Sequence, residues 1–171
     1  MNELKWKTAT IPIPMLEYLR GKSESDRFRR FAIACCRRIW QHLPDDCRHV
    51  VEVAERFAEG LACDAERLKA HAVANSLCIY VDDTSSASDR FSNYIAESAL
   101  CCLFDDQTSI PTYPTTCAIA AANAATEVVG AYAELTAPSD ADSAFSKACL
   151  QEQAAQTDLV RTIWPESFKP C

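Results

Sequence analysis

The sequence predicts an all-α fold: a single compact domain of six or seven helices packed antiparallel or orthogonally. Three observations carry this prediction. Apolar side chains recur every three or four positions through most of the chain, the period of a helix with one buried stripe. Glycine occurs only three times while alanine is abundant; alanine is the strongest helix former, whereas glycine serves turns and strained backbone. Prolines fall between the periodic stretches, at Pro14, Pro44, Pro138 and Pro165 among others, where a missing N–H opens or ends helices. A β-sandwich or a doubly wound sheet would use more glycine and longer runs of Val and Ile.

Residues 1–13 read as an irregular segment. Pro14 then suits the first turn of a short helix, Met15 to Arg20, which Gly21 closes. Ser23 or Ser25 caps a second helix with Phe28, Phe31, Ala32, Cys35, Ile39 and Leu43 on one stripe and Arg27, Arg30, Arg37 and Arg38 opposite; Pro44 ends it. Asp45 and Asp46 start a third, where carboxylates meet the positive end of the helix dipole. Its apolar face is Val50, Val51, Ala54, Phe57 and Ala58, with Gly60 as C-cap. Asp64 caps a fourth, facing inward through Leu68, Ala72 and Ile79; its end, Cys78 to Val81, has some strand character.

After a polar loop from Asp82 to Ser88, a fifth helix aligns Phe91, Tyr94, Ile95, Ser98 and Cys102. Gln107 to Pro114 is a connection. Thr115 or Thr116 caps an alanine-rich sixth helix running to about Leu135, with Val128, Val129 and Tyr132, and with Gly130 letting a neighbour approach closely. A last helix, Asp140 to Ile163, turns Phe145, Cys149, Leu159 and Ile163 inward, and residues 165–171 form a tail anchored by Phe168.

One domain, 1–171, fits this length. With 49% apolar and 24% charged residues, the chain has the side chains to offset its ordering entropy. A net charge of −7 and a pI near 4.9 disfavour broad binding to nucleic acid or anionic lipid, so neither a DNA nor a membrane partner is expected. Cys117 to Ala125 is too short and weakly apolar to span a bilayer. No basic segment followed by an apolar one opens the sequence, which points to a cytoplasmic setting with its ten cysteines reduced. They are distributed one or two per helix, as small buried residues.

Nucleotide-loop, nucleophile-elbow and zinc-protease motifs are absent, and no cofactor is expected. Two constellations remain. The first is Arg27, Arg30, Arg37 and Arg38 with Trp40, within a run also holding Arg20, Lys22 and Arg29. Guanidinium forks grip carboxylates bidentately, so this face suits an acidic protein partner; the plainer reading pairs it with Asp46, Glu52, Glu55 or Glu59 of the next helix. The second is Cys35 and Cys36 with His42, Cys47 and His49 as a metal or redox set, though zinc spacing such as C-x-x-C is missing. Adjacent helical positions diverge by about 100°, so only Cys35 should reach the core centre, with Cys36 at its edge. Asp82-Asp83 and Asp105-Asp106 could meet a divalent cation but lack a calcium loop. Trp40 and Trp164 read as half-buried anchors.

Three segments carry a resemblance. They are Pro14-Met15-Leu16-Glu17-Tyr18-Leu19-Arg20-Gly21-Lys22 leading into Arg30-Phe31-Ala32-Ile33-Ala34-Cys35-Cys36-Arg37-Arg38-Ile39-Trp40, then Val51-Glu52-Val53-Ala54-Glu55-Arg56-Phe57-Ala58, and Gln156 to Trp164 with Phe168-Lys169-Pro170. Together they resemble a family of small helical proteins frequent in planctomycete bacteria, over residues 1–63 and 150–171. Residues 75–117 depart from that family's alanine- and arginine-rich pattern, being richer in Cys, Ser and Asp. The resemblance implies a bacterial, intracellular protein and transfers no catalytic residue. The functional expectation is therefore a non-enzymatic protein-interaction module of unknown partner, acting through the arginine-rich face; the alternative is a cysteine-based metal-binding or redox protein.

Overall fold

Eight α-helices and three 3₁₀ turns make up the computed structural model, which describes residues 1–82, 84–104, 113–165 and 167; no strand occurs among them. The helices are α1 (Glu3–Thr8), α2 (Ile13–Leu19), α3 (Ser25–Arg38), α4 (Asp45–Ala58), α5 (Asp64–Leu77), α6 (Ala87–Leu100), α7 (Tyr113–Thr136) and α8 (Ala141–Ile163). The fold is all-α, as the periodicity predicts. Among the described residues, no helix is long and apolar enough to cross a membrane. Asp83, Asp105, Asp106, Phe168, Cys171 and residues 107–112 of the expected connection lie outside the described residues, while Tyr113 and Pro114, expected in that connection, already belong to α7.

Helix α7 is the centre, in contact with α2, α3, α6 and α8, while α4 and α5 form an outer layer against α3 and α6. Small side chains permit this. Cys117, Ala118, Ala121, Ala122, Ala125, Gly130 and Ala131 are buried on several sides of α7. At Gly130 an added Cβ would lie 2.6 Å from Cε2 of Phe145 and 2.7 Å from Sγ of Cys149, so α8 rests on bare backbone there. Gly21 and Gly60 adopt φ of 67° and 72° where α2 and α4 end, as the sequence predicts. The stripe of α3 is buried throughout: Phe28, Phe31, Ala32, Cys35 and, beyond the helix end, Ile39 and Leu43. Phe28 and Phe31 pack on buried Trp164 at 5.2 and 6.2 Å between ring centroids.

Several expectations are corrected. Residues 1–13 are not wholly irregular, because Glu3–Thr8 is helical. A helix this short does not hold itself. Asn2 accepts from the Lys5 N–H at 2.9 Å, Trp6 is buried, and Arg161 of α8 donates to the carbonyls of Trp6, Lys7 and Ala9 at 3.1, 3.0 and 2.6 Å. Ser23 and Ser25 do not cap α3; the Ser23 hydroxyl instead accepts from Trp164 Nε1 at 2.6 Å. Helix α3 stops at Arg38, and a 3₁₀ turn, Trp40–His42, carries the chain to Leu43. Asp64 is inside α5 rather than its cap, and Cys63 and Glu66 form the capping box. Leu68, Ala72 and Ile79 of the expected inner face are all exposed, Ile79 lying past the helix end, while Arg67, Ala70 and Ala74 are buried. Cys78 to Val81 are neither helix nor strand. On α8 the fully buried line is Glu152, Gln156, Thr157 and Val160, with Phe145, Cys149, Leu159 and Ile163 half-buried beside it.

The α5 rotation has a physical cause. Arg67 reaches inward and donates from Nη1 to the Leu103 carbonyl at 2.9 Å. Arg29 of α3, only 1% exposed, donates to the carbonyls of Cys102 and Phe104, both at 3.0 Å. Two guanidinium groups therefore hold three successive carbonyls of the 3₁₀ turn Cys101–Leu103 and the residue after it. Carbonyls at a helix end lack intrahelical partners and carry partial negative charge. Phe57 completes the arrangement, with Arg29 and Arg67 over its ring at 4.9 and 5.6 Å.

Replacing Arg29 with Met keeps most of the apolar stem but orphans two buried carbonyls. We expect urea denaturation to show a loss of about 3 kcal/mol, with Arg29→Lys recovering part of it. For Gly130→Ala, the gain in helix propensity is about 1 kcal/mol. Overpacking against Phe145 should outweigh it, for a net loss of about 1–2 kcal/mol that Phe145→Ala in the same chain partly relieves.

Candidate functional site

Helical spacing sets Arg30, Ile33, Ala34 and Arg37 on one face of α3, and Glu52, Glu55, Arg56 and Glu59 on the facing side of α4. With Arg38 and with Leu159 of α8 they line a surface groove of about 900 Å³. Ile33, Ala34, Ala58 and Leu159 make an apolar floor. The rim carries four arginines and three glutamates, and Arg56 among them pairs with Glu66 at 2.7 Å.

The five residues expected to bind do not all meet. Arg30, Arg37 and Arg38 share the groove. Trp40 stands behind Arg37, whose guanidinium lies 3.8 Å from its ring centroid, with Arg48 at 5.6 Å. Arg27 lines a separate hollow with Leu19, Lys22 and Trp164. Trp40 is half-buried, as expected, whereas Trp164 is fully buried.

Each groove arginine also has a carboxylate of its own. Arg30 Nε donates to Asp26 at 2.6 Å, Arg37 donates from Nε at 2.7 Å and from Nη2 to Glu55, and Arg38 grips Glu152 through two bonds of 2.8 Å. These carboxylates push all three arginine pKa values above their usual range. The Asp26 and Glu55 pairs are well exposed and add little stability. Their effect is orientation: the outer Nη1 of Arg37 and of Arg38 has no partner among the described residues and remains available to a second carboxylate. Only Glu55 belongs to the acidic set that the sequence offers for pairing. Glu152, 5% exposed, gives no sequence signal, because its α8 face reads as solvated. It also accepts from Gln156 Nε2 at 3.2 Å, and that amide donates to the Ala122 carbonyl at 3.0 Å and the Thr126 hydroxyl at 3.2 Å. The network ties α3, α8 and α7 together.

The cysteine–histidine set does not assemble. Cys35, Cys36 and Cys47 are buried and His49 is exposed. His42 packs between Tyr132 and Phe91, with ring centroids at 4.4 and 5.8 Å, beside an apolar hollow of about 430 Å³. Among the described residues, no three His, Cys, Asp or Glu side chains come together as metal ligands. Cys36 is not at the core edge: it is as buried as Cys35, because helices cover α3 on both sides. Its Sγ lies 3.4 Å from Sγ of Cys102, where one thiol donates to the other, and the Ser98 carbonyl lies 3.2 and 3.5 Å from the two sulfurs as the acceptor for the remaining S–H. Burial pushes the Cys47, Cys117 and Cys149 thiols up to about 11. Such thiols remain protonated and weakly nucleophilic near neutrality.

Comparisons with protein-family models, curated proteins and solved structures find no match to this chain.

Burial holds the His42 pKa below its ordinary value. Well above the ordinary imidazole pKa, both folded and unfolded chains keep the ring neutral. As the pH falls below that value the unfolded chain takes up its proton first, so stability falls until the folded ring also titrates. An NMR titration of His42 should show the lowered midpoint, and His42→Phe should reduce the loss of stability over that window.

Proposed function

We propose that this chain is a protein-interaction module whose groove between α3, α4 and α8 takes an acidic, amphipathic segment of a partner protein. One observation carries the reading: Arg30, Arg37 and Arg38 stand in fixed orientations along an apolar floor of Ile33, Ala34, Ala58 and Leu159, in a groove of about 900 Å³. Apolar anchors of a partner helix at helical spacing would meet the floor. Its carboxylates would meet guanidinium edges that need little further ordering. Glu52 and Glu59 on the α4 side would repel carboxylates placed there, which selects one orientation of the segment. A cytoplasmic bacterial setting, as the planctomycete-like motifs imply, belongs to the same proposal.

The test is selection of 15- to 20-residue peptides from a random display library on the full-length protein at low salt. The enriched peptides should combine Asp or Glu with Leu, Ile or Phe at helical spacing and compete with one another. Their affinity should fall about tenfold or more, the equivalent of about 1.4 kcal/mol, in the Arg30→Glu, Arg37→Glu double variant with its circular dichroism unchanged. Enrichment of basic or uncharged peptides, or an affinity unmoved by the double variant, would overturn the reading.

A further inference from the structure

The Cys36–Cys102 approach lies outside the groove and has no part in the proposed docking. The two cysteines are 66 positions apart, on α3 and on the 3₁₀ turn after α6, yet their sulfurs are 3.4 Å apart and fully buried. No other sulfur pair among the described residues is hydrogen-bonded. The position of Cys102 is also fixed independently, because Arg29 and Arg67 hold the carbonyls of Cys102, Leu103 and Phe104. Both sulfurs lie beside one acceptor, the Ser98 carbonyl. A disulfide requires a sulfur separation of about 2.0 Å, so the sulfurs must close by about 1.4 Å.

We infer that Cys36 and Cys102 are a built-in disulfide site, closed by a hydroperoxide and reopened by thiol reductants, which staples α3 to the end of α6. The Cys36 sulfur attacks the outer oxygen of the hydroperoxide. The O–O bond breaks, an alcohol (water, for hydrogen peroxide) leaves, and Cys36 becomes a sulfenic acid. The Cys102 sulfur then attacks the sulfenic sulfur; the S–O bond breaks, the thiol proton joins the departing hydroxyl, and water leaves. In total two thiols lose two electrons and two protons, and the hydroperoxide takes up both. Its contact with Cys36 and its burial hold Cys102 protonated, so its attack, like the first step, waits for the site to open and the thiol to ionise. Burial also sets the rate: the pair reacts only when the turn opens, so closure is slow beside the oxidation of exposed Cys63.

The test treats the folded full-length protein with hydrogen peroxide, alkylates it under denaturing conditions without reductant, and maps its peptides. The expected result is a mass loss of about 2 Da, a cross-linked peptide pair joining Cys36 to Cys102, and a rise in Tm that dithiothreitol reverses. Cys36→Ala and Cys102→Ala should each abolish both the cross-link and the rise. Should either variant fail to fold, the wild-type peptide map decides. Recovery of both cysteines as free, alkylated thiols while Cys63 is oxidised would overturn the inference, as would a cross-link from either cysteine to another partner.

Discussion

Two arginine side chains driven into the interior set the register of this fold. A buried cation is costly unless it is hydrogen-bonded and electrostatically matched. Arg29 and Arg67 meet that condition on the carbonyls of Cys102, Leu103 and Phe104. These are acceptors the chain must satisfy where α6 ends. The solution couples distant segments: α3 supplies one guanidinium, α5 the other, and α4 the Phe57 ring that both cover. It fixes the rotation of α5, places Cys102 against Cys36, and leaves the opposite face of α3 free to form a groove with α4 and α8.

That constraint separates what the sequence reveals from what it hides. Helices α3, α4 and α6 are legible because their stripes of Phe, Ile, Val and Ala follow one face and the fold buries that face. Helix α5 misleads for the converse reason. Leu68 and Ala72 look like its inner side, but with Arg67 bonded to the Leu103 carbonyl and Ala70 and Ala74 buried, both turn outward. Helix α1 is hidden because its support, Arg161, comes from the other end of the chain. The buried line of α8 is polar, and only the position of Arg38 makes sense of Glu152 there.

The groove was legible in part. Arg30, Arg37 and Arg38 share a face by spacing alone. Arg27 separates from them, being a full turn nearer the start of α3, where it faces Trp164 and Lys22 instead. What spacing cannot show is that each groove arginine arrives already engaged. An arginine held by a carboxylate of its own chain has lost much of its rotamer freedom before any partner arrives, so its ion pair acts as a positioning device more than as a source of stability. The same logic explains the cysteines: sequence shows them scattered one or two per helix, while the packing of α3 on the turn after α6 brings one pair together.

Gly130 bears on synthesis. Translation delivers the chain from its amino terminus, so α7 emerges from the ribosome before α8 does. Until then the strip around Gly130 has no cover. That strip is backbone, alanine and glycine more than large hydrophobic side chains, so a half-made chain exposes little there that would be sticky. The central helix can wait, incompletely enclosed, for α8 to emerge and seat Phe145 and Cys149 against it.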